Sequence, residues 1–232
     1  MQEGREDDIV RCVGCSQGCI GAATEGKPIS CLANPLCGRE WLYAGKEKTK
    51  NKKKVYIAGG GVSGCMAAIT AAENGHDVTL FEKETILGGQ WRAAIVPVGK
   101  EEFSSLLIWQ RHRLDQLGVK VQLNQALTGK IVKQEKPDVV LVATGGVPFI
   151  PPIKGINSSY VVTAVDVLLG RKNVGKKVLV IGGGLVGAEV AEHLALYHSQ
   201  VTIVEMGEEL AVDAVSNVKF YLMENLKKAQ VN

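Results

Sequence analysis

The stretch Val55-Tyr-Ile-Ala-Gly59-Gly60-Gly61-Val-Ser-Gly64 decides the fold. A short apolar run stops at three glycines, and an Ala-rich, helix-forming run over Val62–Glu73 follows at once. Gly59, Gly61 and Gly64 fit the spacing G-x-G-x-x-G. The first glycine of that pattern makes the tight turn, the second lets the backbone approach a diphosphate, and the third lets the helix pack closely on the strand. A phosphate then sits at the helix N-terminus, where free N–H groups and the helix dipole favour negative charge. Asp77-Val-Thr-Leu-Phe-Glu82 reads as the next strand, closed by an acid 23 residues after Gly59 and placed to accept from ribose hydroxyls. This is a dinucleotide site.

The pattern occurs twice. Val178-Leu-Val-Ile-Gly182-Gly183-Gly184-Leu-Val-Gly187 repeats it 123 positions later, and Glu205 ends the strand Gln200–Glu205, again 23 residues on. Gly182, Gly184 and Gly187 take the three glycine roles. Between the units, Glu101–Leu117 has a helical apolar period, Val119–Leu123 reads as a strand, and Asp138–Ala143 is a fully apolar run expected of a buried parallel strand. Leu185–Tyr197 and Val215–Lys228 read as helices. The fold class is α/β: tandem Rossmann-like units with parallel sheets, incomplete at the C-terminus, behind a Cys-rich segment. The boundaries read from sequence are 1–45 for that segment, 46–54 for a lysine-rich linker, 55–165 for the first unit and 166–232 for the second.

Composition narrows the function. The chain has 232 residues and a formal charge of +3, too weak to argue for nucleic acid. No run of about 18 apolar residues argues for a membrane span. The acidic, polar start Met1-Gln-Glu-Gly-Arg-Glu-Asp-Asp8 is unlike a leader, so a cytoplasmic protein is expected. Six lysines lie within Lys46–Lys54, which reads as a solvated linker or, more sharply, a docking patch for an acidic surface.

Four of the six cysteines fall in the first 31 residues: Cys12, Cys15, Cys19 and Cys31, spaced C-x2-C-x3-C-x11-C. Four thiolates at such spacing suit zinc or a [4Fe-4S] cluster. Three clustered cysteines plus one remote are closer to cluster ligation than to the paired C-x2-C of zinc ribbons. A redox disulfide of Cys12 and Cys15 is a third reading, and it leaves Cys19 and Cys31 without a role. Cys65 reads as a packed small side chain and Cys37 as a bystander or fifth ligand candidate.

Taken with Ser30-Cys-Leu-Ala-Asn-Pro35, Gly38-Arg-Glu40, Gly75-His-Asp-Val-Thr79, Gly88-Gly-Gln90, Pro97-Val-Gly-Lys100, Leu123-Asn124, Val140-Leu-Val-Ala-Thr-Gly145 and Val201-Thr-Ile-Val-Glu-Met206, the motifs resemble the C-terminal half of the Old Yellow Enzyme-like iron–sulfur flavoproteins. That group includes 2,4-dienoyl-CoA reductase, 2-enoate reductase and trimethylamine dehydrogenase. The resemblance implies FAD in the first unit, NADH or NADPH in the second, and [4Fe-4S] on the four cysteines. It also implies that Lys83, Gly89, Gln90, Lys100, the backbone of Leu127, Thr144 and Gly145 join Glu82 around FAD. Glu205 would accept from a ribose 2′-OH and repel a 2′-phosphate, which favours NADH.

Two departures from the family stand out. The family carries an FMN-binding TIM barrel before the cysteines, which this chain lacks, and it continues past the position where this chain stops. The chain therefore reads as a fragment that associates through unfinished sheet edges and binds FAD weakly. The implied electron route runs from NADH through FAD and the cluster to FMN and an activated alkene, and no residue here is assigned to proton donation or substrate binding. The alternatives are an electron-transfer subunit serving a separate partner, and a nucleotide-binding remnant without turnover.

Overall fold

The computed structural model describes residues 4–45, 48–197 and 199–232. Lys46 and Glu47 of the lysine run and the first three residues of the acidic start lie outside the described residues. In chain order the elements are α1 (Ala22–Thr24), β1 (Lys54–Ala58), α2 (Val62–Glu73), β2 (Asp77–Phe81), α3 (Trp91–Ala94), α4 (Ser104–Gln116), β3 (Lys120–Gln122), α5 (Gly129–Glu135), β4 (Val139–Val142), α6 (Ala164–Leu168), β5 (Lys177–Ile181), α7 (Leu185–Leu196), β6 (Gln200–Val204) and α8 (Ser216–Lys228). No helix among the described residues is long and apolar enough to cross a membrane.

Two compact units draw on non-contiguous stretches. The first comprises Met1–Val13, Arg39–Arg92 and Glu102–Val147; the second comprises Gly14–Gly38, Ala93–Glu101 and Pro148–Asn232. The cysteine-bearing segment thus contributes to both units.

In the first unit a parallel sheet runs in the order β3-β2-β1-β4. Val55 pairs with Val78 on one side and Val139 on the other, so β1 is central. Its alternate residues Val55 and Ile57 meet Cys65, Ala68 and Ile69 of α2 and Leu114 of α4 in one apolar cluster with Val78 and Leu80. Small side chains along α2 let that helix lie close on the sheet. Asp8 ties the N-terminal stretch to α4: its carboxylate accepts from Gln116 Nε2 at 2.7 Å and lies 3.3 Å from His112 Nε2, while its carbonyl accepts from Trp109 Nε1 at 3.1 Å. The fully buried strand expected at Asp138–Ala143 is corrected by the structure. β4 is the edge strand, with no neighbour beyond it among the described residues, and Val142 is 76% exposed.

In the second unit β5 and β6 pair in parallel, Val178 opposite Val201. Ala188, Val190, Ala191 and Leu194 of α7 and Leu222 and Leu226 of α8 bury Val201. Asn232 continues the pairing: its N–H donates to Val201 at 3.1 Å and its carbonyl accepts from Ile203 at 2.7 Å. Around the cysteines the backbone winds tightly. Gly18 accepts from the N–H of Ser30 at 2.7 Å, and a methyl on Gly18 would meet Ser30 Oγ at 2.6 Å. Only glycine allows these two segments, one beside Cys19 and the other beside Cys31, to touch.

Candidate dinucleotide sites and cysteine segment

Both glycine turns form as the spacing predicts. Gly59 and Gly182 have φ of +104° and +101°, a region that side-chain-bearing residues avoid. A methyl on Gly64 would fall onto the carbonyl oxygen of Gly59, and one on Gly187 onto that of Gly182. The third glycine of each motif is therefore required by the approach of helix to strand. Gly61 and Gly184 stand at the helix starts, where the first N–H groups of α2 and α7 have no partner within the helix.

The two acids do more than the spacing foretells. Glu82 is 5% exposed, and its Oε2 accepts from the N–H of Gly60 at 2.6 Å while Oε1 accepts from Glu84 at 2.9 Å. Glu205 does the same with Gly183 at 2.6 Å and Gly207 at 2.8 Å; its side chain is exposed, but the bond to Gly183 is part-buried. The N–H of Gly207, and after it that of Gly183, hold the Glu205 carboxyl below the usual carboxylate range. Each carboxylate oxygen keeps a further lone pair for a ribose hydroxyl.

The other residues expected around FAD divide. The Gly89 Cα faces Gly61, close enough that a methyl on Gly61 would meet it at 3.9 Å. Gln90 Nε2 donates to the Gly146 carbonyl at 2.6 Å, beside Gly145. Thr144 follows Ala143, whose carbonyl abuts Gly59 and whose N–H donates to Ala58 at 2.8 Å. These residues meet at the carboxyl ends of β1 and β4, the end where open α/β sheets bind ligands. Lys83 is exposed next to Glu82. Leu127 lies half-buried, two residues past Gln125, whose N–H donates to the Glu82 carbonyl at 2.9 Å. Lys100 belongs to the second unit, where its ammonium pairs with Glu189 of α7.

Cys12 falls in the first unit, and Cys15, Cys19 and Cys31 in the second. Cys12 and Cys19 are exposed, and Cys15 and Cys31 are half-buried. Among the described residues, no three His, Cys, Asp or Glu side chains converge to hold a metal ion. Four thiolates are donors that a tetrahedral zinc accepts. A cubane spreads four thiolates over four irons, and the all-thiolate donor set fits it. Cys65 is different. Burial pushes its thiol up to about 12, and its Sγ donates to the Gly60 carbonyl at 3.3 Å.

Residues 53–232 match the family described as "Pyridine nucleotide-disulphide oxidoreductase". The chain belongs to this family. Two curated relatives are an NADH oxidase of Thermoanaerobacter brockii, 39% identical over 236 residues and covering 100% of this chain and 36% of its own length, and a cinnamate reductase of Clostridium sporogenes, 44% identical over 208 residues and covering 90% and 31%. The solved structure of a 2-naphthoyl-CoA reductase in complex with 2-naphthoyl-CoA matches with a TM-score of 0.95 at 34% identity, over 100% of this chain and 35% of that one. The chain spans about a third of the length of the curated relatives it matches. The resemblance read from the motifs holds: this is an α/β, Rossmann-like domain of the FAD- and NAD(P)H-binding kind that longer reductases contain.

Proposed function

We propose that this chain is the electron-entry part of a larger NADH-dependent iron–sulfur flavoprotein reductase acting on an enoate or enoyl-CoA. FAD belongs at the first turn, NADH at the second, [4Fe-4S] on Cys12, Cys15, Cys19 and Cys31, and an FMN-bearing TIM barrel is the partner domain. The duplicated glycine turn, each copy closed by a carboxylate, carries this reading. Bound FAD supplies the exchange between a hydride pair and the single electrons that a cluster takes.

The chain's own residues bind and orient. The start of α2 offers N–H groups to one diphosphate and the start of α7 to the other. Glu82 and Glu205 fix the turns through their backbone hydrogen bonds and present the remaining lone pairs to ribose. Glu205 stands in an acidic run, Glu205-Met-Gly-Glu-Glu209, that contains no basic residue, and Lys219 beside it is paired with Glu209 at 2.6 Å, which supports NADH over NADPH. The test is cofactor content. Chain prepared anaerobically should be brown, with about four irons, and should bind FAD and prefer NADH to NADPH. Glu205→Ala should narrow that preference. One zinc with no iron would overturn the cluster, and equal affinity for the two nucleotides would overturn the role of Glu205.

A further inference from the structure

The two turns match contact for contact. In the first, Gly60 donates to Glu82, Gly88 N–H donates to the Gly60 carbonyl at 2.8 Å, and a methyl on Gly60 would strike Leu87. In the second, 123 positions on, Gly183 donates to Glu205, Ala211 N–H donates to the Gly183 carbonyl at 2.7 Å, and a methyl on Gly183 would strike Leu210. Carried two residues further, this register pairs Gln90 with Asp213.

The paired residues differ in charge and in what they touch. Gln90 is a neutral amide bound to the Gly146 carbonyl. Asp213 Oδ1 accepts from the N–H of Leu185, the first residue of α7, at 2.7 Å. A methyl on Gly184 would meet the two Asp213 carboxylate oxygens at 3.4 and 3.6 Å. That N–H and that glycine are where a dinucleotide's diphosphate packs. The equivalent glycine in the first turn, Gly61, is faced by Gly89 instead.

One helix terminus, with about half a positive charge, does not hold two anions well. We infer that Asp213, which accepts from the first N–H of α7, competes at that helix N-terminus with the diphosphate of the dinucleotide. It thereby sets the affinity of the second site, an inference that rests on reading that site as the NADH site. Asp213 is exposed, so its side chain can turn out to water, while the buried Ala211 holds the loop through its bond to Gly183.

Calorimetric titration of the purified chain with ADP-ribose tests this, with adenosine as the probe that lacks the diphosphate. Asp213→Asn keeps an acceptor for Leu185 but removes the charge. It should tighten ADP-ribose binding about three- to tenfold, leave adenosine unchanged, and lose its advantage as salt rises. Asp213→Ala, which frees the N–H altogether, should also tighten ADP-ribose; if that variant does not fold, the Asn variant decides alone. ADP-ribose binding no tighter in Asp213→Asn, while Glu205→Ala still weakens it, overturns the inference and leaves the nucleotide site standing. No ADP-ribose binding in the parent or the variants overturns both.

Discussion

Glu82→Ala separates a scaffolding acid from a ligand-binding one. Removing the carboxylate leaves the N–H of Gly60, bonded at 2.6 Å in the interior, and the half-buried N–H of Glu84, bonded at 2.9 Å, without an acceptor. A buried donor stripped of its partner costs about 1–3 kcal/mol, so the buried and half-buried pair together should cost about 3 kcal/mol. The same truncation at Glu205 removes one part-buried bond, from Gly183, and one exposed bond, from Gly207, where water replaces the carboxylate, so its cost should be smaller. Urea unfolding followed by tryptophan fluorescence is the assay, because Trp41, Trp91 and Trp109 all lie in the first unit. With a slope near 2 kcal/mol per molar, the Glu82→Ala midpoint should fall by roughly 1.5 M. Glu82→Gln keeps one carbonyl oxygen and recovers at most one bond. Followed by circular dichroism, the second unit should respond to Glu205→Ala less than the first unit does to Glu82→Ala. A fall of under about 0.5 M for Glu82→Ala, or equal losses at both positions, would show that burial does not set the worth of these bonds.

Two further outcomes follow from the same chemistry. With its thiol pushed up to about 12 and only 1% exposed, Cys65 should resist iodoacetamide at mildly alkaline pH while the exposed Cys12 and Cys19 of metal-free chain are labelled, as mass spectrometry would show; labelling of Cys65 at their rate would contradict its burial. The Glu205 carboxyl is held below the ordinary value of 4.5 in the folded state, so its support of the second turn is fully present above that value and is lost as pH falls through the lowered one. Amide exchange at Gly183 and Gly207 should therefore show weaker protection on the acid side of 4.5, and unchanged protection through that window would refute the link.

Much of this fold is legible because several local signals agree around each glycine turn. β1, α2, β2, β5, α7, β6 and α8 lie within a residue or two of where the apolar runs and glycines put them. α5 and α6 escape that reading because each is short and weakly periodic. A cue for α6 does stand in the sequence: Thr163-Ala-Val-Asp166 is a capping box, and the Thr163 hydroxyl accepts from the N–H of Asp166 at 3.2 Å. No such cue existed for β4. Its apolar run resembles that of a buried strand, but burial depends on what lies alongside, and among the described residues β4 has β1 on one side and no strand on the other. The spacing also placed Glu82 and Glu205 toward ribose but could not show that both already serve their own turns, because a hydrogen bond across 22 residues leaves no periodic trace. Lys100 illustrates the same limit. Its partner Glu189 lies 89 residues away, and no local pattern links them.

The internal repeat supplies a reading that single motifs do not. Positions 123 apart agree where the backbone demands it: glycines at 59 and 182, 61 and 184, 64 and 187, and acids at 82 and 205. They also agree in size where the core demands it. Cys65 corresponds to Ala188, and the two are 1% and 0% exposed. A methyl fills the second place as well as a thiol fills the first, so Cys65 is there to pack and its sulfur chemistry is incidental. The repeats part company at the ligand-facing rim. Lys83, next to the first acid, is replaced by Met206, and the amide of Gln90 by the carboxylate of Asp213. Both changes make the second rim more negative than the first. A site remodelled in that direction suits the dinucleotide carrying the fewer phosphates. The same divergence that underlies the proposed preference for NADH also puts Asp213 at the start of α7, and the two proposals rest on one comparison within a single chain.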